Sequence, residues 1–114
     1  MTSFSRGDVV LIGFVFADEA GVKQRPAVII SSDTYHQKRQ EAIISAITSR
    51  TDRILVGDHL ISAWQEAGLL FPSVATGILR TIKQSMIVCQ LGRMSTDDLK
   101  AVDKQLKVVL ALDQ

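Results

Sequence analysis

Cysteine occurs once in the 114-residue chain, as Cys89, and histidine only twice, as His36 and His59. A lone cysteine excludes an internal disulfide and any multi-cysteine zinc site, and it fits a reducing compartment. The acids and histidines form no cluster at metal-ligand spacing, so no metal or other cofactor is expected. Membrane-length apolar runs are also missing. The stretch from Val9 to Ala17 falls far short of the about 20 residues that cross a bilayer. It has neither the position nor the flanks of a secretion signal. The expectation is a cytoplasmic protein without a membrane segment. Repeats, low-complexity tracts and linkers are absent, and Gly7 and Gly21 make no phosphate-binding motif. Neither sign of charge dominates, because 13 Lys/Arg stand against 12 Asp/Glu.

What is present is an ordinary globular mixture: 46% hydrophobic and 22% charged residues, enough to bury a core. The length predicts one domain over residues 1–114. A chain this small sits near the lower limit of comfortable independent stability, so self-association would help it. The charges are unevenly spread. From Lys23 to Arg93 there are nine Lys/Arg against five Asp/Glu, and the remaining four bases and seven acids lie in the terminal segments. That excess of basic residues fits either a groove for a phosphate backbone or a solvated mixed surface.

The pattern along the chain is that of short strands. Asp8–Phe16 is β-branched and aromatic with no polar interruption, as in a buried strand. After a polar loop over 17–24, Pro26–Ser31 reads as a second strand with Pro26 at its start. Asp33–Gln40 reads as a helical turn or loop, Ala42–Ile47 as a third strand and Thr48–Arg53 as a polar corner. Ile54–Val56, Val74–Ile82 and Ile87–Leu91 are further strand candidates. A short helix is expected over Ser62–Ala67, anchored by Trp64 and ended by Gly68. Ser95 is a good N-cap for a terminal helix, Thr96–Leu112, with Asp97 and Asp98 in its first turn. Leu99, Val102, Leu106, Val109 and Leu110 follow helical spacing there, and Lys100, Lys104 and Lys107 face outward. Many short strands with one terminal helix imply a mainly β fold, a small barrel carrying a packed α-helix.

Three blocks go further. Arg6-Gly7-Asp8-Val9-Val10-Leu11 opens the first strand. Lys23-Gln24-Arg25-Pro26-Ala27-Val28-Ile29-Ile30-Ser31 is followed at a set distance by Ile47-Thr48-Ser49. Thr81-Ile82-Lys83-Gln84-Ser85 is followed by Leu91-Gly92-Arg93-Met94-Ser95. Together they resemble the MazF/PemK toxins of type II toxin–antitoxin pairs, over roughly Arg6 to Leu110. The resemblance implies an SH3-like β-barrel of the CcdB/PemK type, assembled as a homodimer. It also implies a sequence-selective, metal-independent endoribonuclease acting on single-stranded RNA, and a cognate antitoxin as partner.

It implies a site as well. Cleavage without metal uses the substrate's own 2′-hydroxyl as nucleophile, and the protein must handle protons and stabilise charge on the phosphorane. The resemblance points to Arg25 and Thr48 as catalytic residues, with Lys23, Ser49, Arg50, Thr76, Arg80 and Lys83 toward RNA. A guanidinium fork suits a phosphate in the transition state, whereas a pKa above about 12 suits proton transfer poorly. The plain alternative for Arg25 is an ion-paired arginine at a strand start. For Thr48 and Ser49 it is ordinary turn chemistry, and for Ser49 the two readings weigh equally. The chain departs from the family in Pro72–Arg80, where some members carry a basic residue followed by an acid. Here the acid is missing, and Lys83 or Gln84 stands where an aspartate is often found. His36 and His59 read as surface residues and Cys89 as a buried, inert strand residue. Two other readings use the same barrel: a toxin that binds a protein such as gyrase, and an inactive binding module.

Overall fold

The computed structural model describes residues 3–15 and 21–112. Phe16 and the first part of the expected 17–24 loop therefore lie outside the described residues. Six strands, β1 (Asp8–Val15), β2 (Val22–Ile29), β3 (Glu41–Thr48), β4 (His59–Leu60), β5 (Val74–Lys83) and β6 (Ile87–Arg93), form one antiparallel sheet. Its order is β4-β5-β3-β2-β1-β6. Helix α1 (Asp33–Lys38) links β2 to β3, and α2 (Thr96–Leu110) follows β6. The mainly β class with a C-terminal helix is as expected. The barrel, however, is not closed, since β4 and β6 share no ladder among the described residues.

The unbroken apolarity of β1 has a direct cause. Both faces of the strand are covered, so Val9 and Val10, which point opposite ways, are each fully buried. Val9, Val28, Ile47 and Ala75 belong to one core, which Met94, Val102 and the partly buried Trp64 and Leu99 complete. Val10, Ile12, Ala27, Ile29, Ile44 and Ile82 form the other, edged by Phe4 and Phe14. Each fully buried Val or Ile is worth about 1.5–3 kcal/mol relative to exposure. Trp64 is thus the apolar anchor the sequence suggests.

Several elements differ from the sequence reading. The second strand starts at Val22, because β2 pairs with β1 all the way to Val15. Pro26 therefore lies mid-strand. It is tolerated because pairing with β3 begins only at Ala27, so among the described residues β1 alone pairs with it. Ile54–Val56 is no strand. The Leu55 N–H donates to the Asp58 carboxylate at 2.9 Å, and the Asp58 N–H donates to the Leu55 carbonyl at 3.0 Å. A local turn ending at left-handed Gly57 satisfies the backbone that a ladder would otherwise have to pair. The expected helix at Ser62–Ala67 is a run of tight turns instead. Its leading N–H groups, on Ser62 and Ala63, donate to the carboxylate of Asp98 in α2.

Helix α2 is capped as expected, with the Ser95 hydroxyl accepting from the Asp98 N–H at 3.1 Å. Leu99, Val102 and Leu106 face the core, and the three lysines are exposed. Val109 and Leu110 are not buried, and the helix stops at Leu110 before a left-handed Ala111. Cys89 is exposed rather than buried, because β6 is an edge strand that, among the described residues, pairs only with β1. No helix among the described residues is long and apolar enough to cross a membrane.

Candidate functional site

The site originates in a fork in the sheet. Strands β2 and β3 pair only at Ala27–Ala46, Val28–Ser45 and Ile29–Ile44. Beyond Ala27 and Ala46 they part, β2 staying with β1 and β3 with β5. The same register, continued across the fork, would set Arg25 opposite Thr48. A groove of about 600 Å³ opens there, with Arg25, Thr48 and Ser49 along its lips and Leu11, Leu69 and Leu91 among the apolar side chains of its wall. Arg25 is exposed and commits one N–H to the Gln24 carbonyl at 3.0 Å. A guanidinium has five N–H donors, so most of the fork remains for a ligand. Thr48 is half-buried, and its hydroxyl oxygen accepts from the Arg50 N–H at 3.2 Å, which leaves the O–H to donate. The described residues lining this groove include no carboxylate.

Thr48 also lines a second cleft of about 390 Å³ on the far side of the β3 end, shared with Arg50, Arg53 and Thr76. The fork thus brings Arg25, Thr48 and Ser49 into one groove, and Thr48 joins that groove to Arg50 and Thr76. Arg50 pairs with Asp52 at 3.3 Å, and the hydrogen bond from Arg50 holds the Asp52 carboxyl below its usual range. Thr76 is a bracket for a bulge in β5, where three residues of β5 (76–78) oppose Ala46. Its hydroxyl donates to the Ala46 carbonyl at 2.7 Å and accepts from the Ile78 N–H at 3.2 Å.

The remaining basic residues lie elsewhere. Arg80 stacks on the Phe14 ring at 4.7 Å, and Lys23 lies opposite Phe14 in the β1–β2 register. Lys83 is opposite Glu41 at the other end of β3, with its ammonium 3.7 Å from the carboxylate. By strand rise that is roughly 23 Å from Thr48.

The histidines have structural partners. His36 Nε2 is 2.6 Å from the Ser31 hydroxyl and its Nδ1 is 3.0 Å from the Phe4 carbonyl. His59 Nε2 is 2.7 Å from a carboxylate oxygen of Asp98. Neither is the surface residue the sequence suggests. Among the described residues no three His, Cys, Asp or Glu side chains form a metal-binding group.

Sequence reasoning missed two apolar members of the groove, Leu70 and Phe71, which are 84% and 63% exposed. The run Leu69-Leu70-Phe71-Pro72 between a glycine turn and β5 was the available signal, since large apolar side chains in a short connection need a reason. Arg53, on the second cleft, was legible only as one of several basic residues.

Comparison with known proteins places this geometry in context. A MazE–MazF complex from Deinococcus radiodurans superposes with a TM-score of 0.77 at 23% identity, over 94% of this chain and 95% of that one. An endoribonuclease in complex with its cognate antitoxin from a mycobacterial species gives 0.77 at 16% identity, over 98% and 99%. The Mycobacterium tuberculosis toxin MazF-mt6 gives 0.73 at 21% identity, over 94% and 99%. These similarities establish the fold. The sequence itself matches, over residues 5–110, the family model for PemK-like, MazF-like toxins of type II toxin–antitoxin systems. With all but the ends of the chain inside that match, and with Arg25 and Thr48 brought to one groove, the protein belongs to the PemK-like, MazF-like toxin family.

Proposed function

We propose that this protein is a cytoplasmic, homodimeric endoribonuclease. It cuts single-stranded RNA at a short sequence motif, stops translation by doing so, and is restrained by a cognate antitoxin. The observation that carries the reading is the placing of Arg25 and Thr48 on one groove, at the fork where β2 and β3 part. Neighbours described as an endoribonuclease with its cognate antitoxin and as a MazE–MazF complex support the RNA substrate and the antitoxin partner.

The groove suits a phosphodiester. Arg25 offers paired donors to the non-bridging oxygens, and Thr48 adds a hydroxyl donor from the facing strand. Both favour the transition state, where charge on those oxygens is greatest. The described residues of the groove hold no carboxylate or histidine base, and the reaction that asks least of them uses the substrate's own nucleophile. The 2′-oxygen attacks phosphorus as the bond to the 5′-oxygen breaks, and the proton of the 2′-hydroxyl ends on the departing 5′-oxygen. The fragments then carry a 2′,3′-cyclic phosphate and a 5′-hydroxyl.

A single experiment tests this. A long single-stranded RNA is incubated with purified protein with and without excess chelator, and the cut ends are mapped. Cleavage should persist in chelator and leave those ends, and one 2′-deoxy sugar at the cut should stop it while binding survives. Cutting of the deoxy-substituted strand at the normal rate overturns the mechanism. Absence of any cleavage overturns the nuclease reading in favour of a toxin that binds a protein.

A further inference from the structure

We propose that Phe71, with Leu70 beside it, is a stacking shelf for one unpaired base of the RNA whose scissile phosphate lies between Arg25 and Thr48. The inference rests on the endoribonuclease reading and assigns a specificity-determining subsite to the same groove. Phe71 and Leu70 are the large apolar side chains of that groove most open to solvent, and they share it with the Arg25 guanidinium and the hydroxyls of Thr48, Ser49 and Ser73. A polar lip next to an apolar wall matches a nucleotide, which carries its charge on the phosphate and its flat apolar surface on the base. The groove's 600 Å³ lies within the range of about 300–1,000 Å³ typical of small-ligand sites.

The shelf is held in place. The Ser73 hydroxyl donates to the Phe71 carbonyl at 2.8 Å, and the Leu69 N–H donates to the Trp64 carbonyl at 3.1 Å. Leu69 is buried, and Gly68 lies directly on the Leu91 backbone. A platform fixed at both ends loses little freedom when a ring lands on it. A protein partner fits less well. Two side chains supply far less than the roughly 800 Å² per partner of a standard protein interface. The cation and hydroxyl donors alongside, with no carboxylate among the described lining residues, favour an anionic ligand.

The test uses the RNA sequence around a mapped cut, with a 2′-deoxy sugar at the cut to prevent cleavage. 2-Aminopurine is placed in turn at each flanking position, and an abasic site is placed likewise. The wild-type protein should change the 2-aminopurine fluorescence strongly at one position. Phe71→Ala should abolish that change and weaken binding about ten- to a hundredfold, and Phe71→Trp should retain both. An abasic site at that position should weaken binding by wild type but not by Phe71→Ala, because the lost contact is the same. With cleavable RNA the loss should appear in KM and in base preference at that position more than in kcat. If wild type cuts RNA but Phe71→Ala binds and cuts as wild type does, or if the abasic penalty is equal in both proteins, the shelf is wrong and the nuclease reading stands. If Phe71→Ala instead changes the sedimentation of the protein, the shelf is a protein contact and the proposal fails. If wild type cuts no RNA, the underlying reading fails first, and the shelf with it.

Discussion

Arg25 on β2 and Thr48 on β3 each occupy the second position past the last β2–β3 pair, Ala27–Ala46, and both line the groove that opens there. The proposed chemistry depends on the strands parting, because a continued ladder would close the groove between Arg25 and Thr48. Arg25→Ala should lower the cleavage rate by about 10²–10³, with stability changed by less than about 0.5 kcal/mol, since the side chain is exposed. Thr48→Val should also slow cleavage, and the loss of its bond to the Arg50 N–H should cost no more than about 1 kcal/mol. Single-turnover rates and denaturant unfolding measure the two quantities separately. Wild-type turnover in Arg25→Ala would move the centre to Arg80 or Lys83.

Asp98 joins α2 to the turn after β4. Its side chain is 2% exposed and accepts from the Ser62 and Ala63 N–H groups, from His59 and from the Ser95 hydroxyl. Burial, the largest influence, pushes this carboxyl up, but the hydrogen bonds together outweigh it and hold the group below its ordinary range. A carboxyl depressed in the folded state adds stability above its unfolded pKa of about 4, and loses it as pH falls through the lower folded value. Asp98→Asn should therefore be less stable than wild type at pH 7, with the gap narrowing below about pH 4. Urea melts between pH 7 and pH 3 read this, and a gap independent of pH would exclude Asp98 as the titrating group.

The turn at 62–68 meets β6 backbone to backbone. Gly68 has φ +81, and a Cβ there would lie 2.0 Å from the Leu91 carbonyl oxygen. A Cβ on Gly92 would lie 2.5 Å from the Ala67 carbonyl. Neither neighbour is a side chain that can rotate away. Gly68→Ala combines that clash with a left-handed backbone, so it should cost more than the roughly 1 kcal/mol of conformation alone. It should also displace Leu70 and Phe71, so thermal melts and RNA binding should both suffer. A normal melting curve would show that the turn can separate from β6 at little cost.

A homodimer needs a self-complementary surface, and an exposed apolar patch is available. Val56 is 82% and Ile78 66% exposed, with Val109 beside them. The last is close enough that a Cβ on Gly57 would lie 2.6 Å from its Cγ2. Ile78→Asp should weaken self-association by at least tenfold if this patch is the interface, because the charge would have to be desolvated on dimerisation. Sedimentation of wild type and variant at micromolar concentration decides it. A wild-type monomer, or an Ile78→Asp dimer of unchanged affinity, would remove the patch from consideration.

Much of the groove was legible through the resemblance carried by Lys23–Ser31 and Ile47–Ser49, whose residues lie within single elements. Pro26 after Arg25, with Ala27, Val28 and Ile29 beyond, marks a strand whose polar beginning differs from its buried end. Thr48 and Ser49 close a strand at a polar corner. Those patterns depend on residues within one element. The Leu69–Pro72 run signalled an apolar feature in that connection, but an apolar residue there looks the same whether it fills a core or lines a groove, so the role of Phe71 was not legible. His59 and Cys89 were misread for a related reason. One has a partner 39 residues away in Asp98, and the other lies on a strand whose second edge pairs with no strand among the described residues.

The sequence by itself determined the short-strand pattern, the Ser95 cap of the last helix and the apolar continuity of β1. Side-chain periodicity and backbone capping are set within a few residues, and the chain carries them wherever it folds. Only the tertiary structure decided where β2 and β3 separate, that the sheet stays open between β4 and β6 among the described residues, and that Asp98 takes the N–H groups of Ser62 and Ala63. Those outcomes depend on which strand edge reaches a partner first and which buried carboxylate captures which N–H. Such competitions between distant segments are resolved only when the whole chain closes on its two cores.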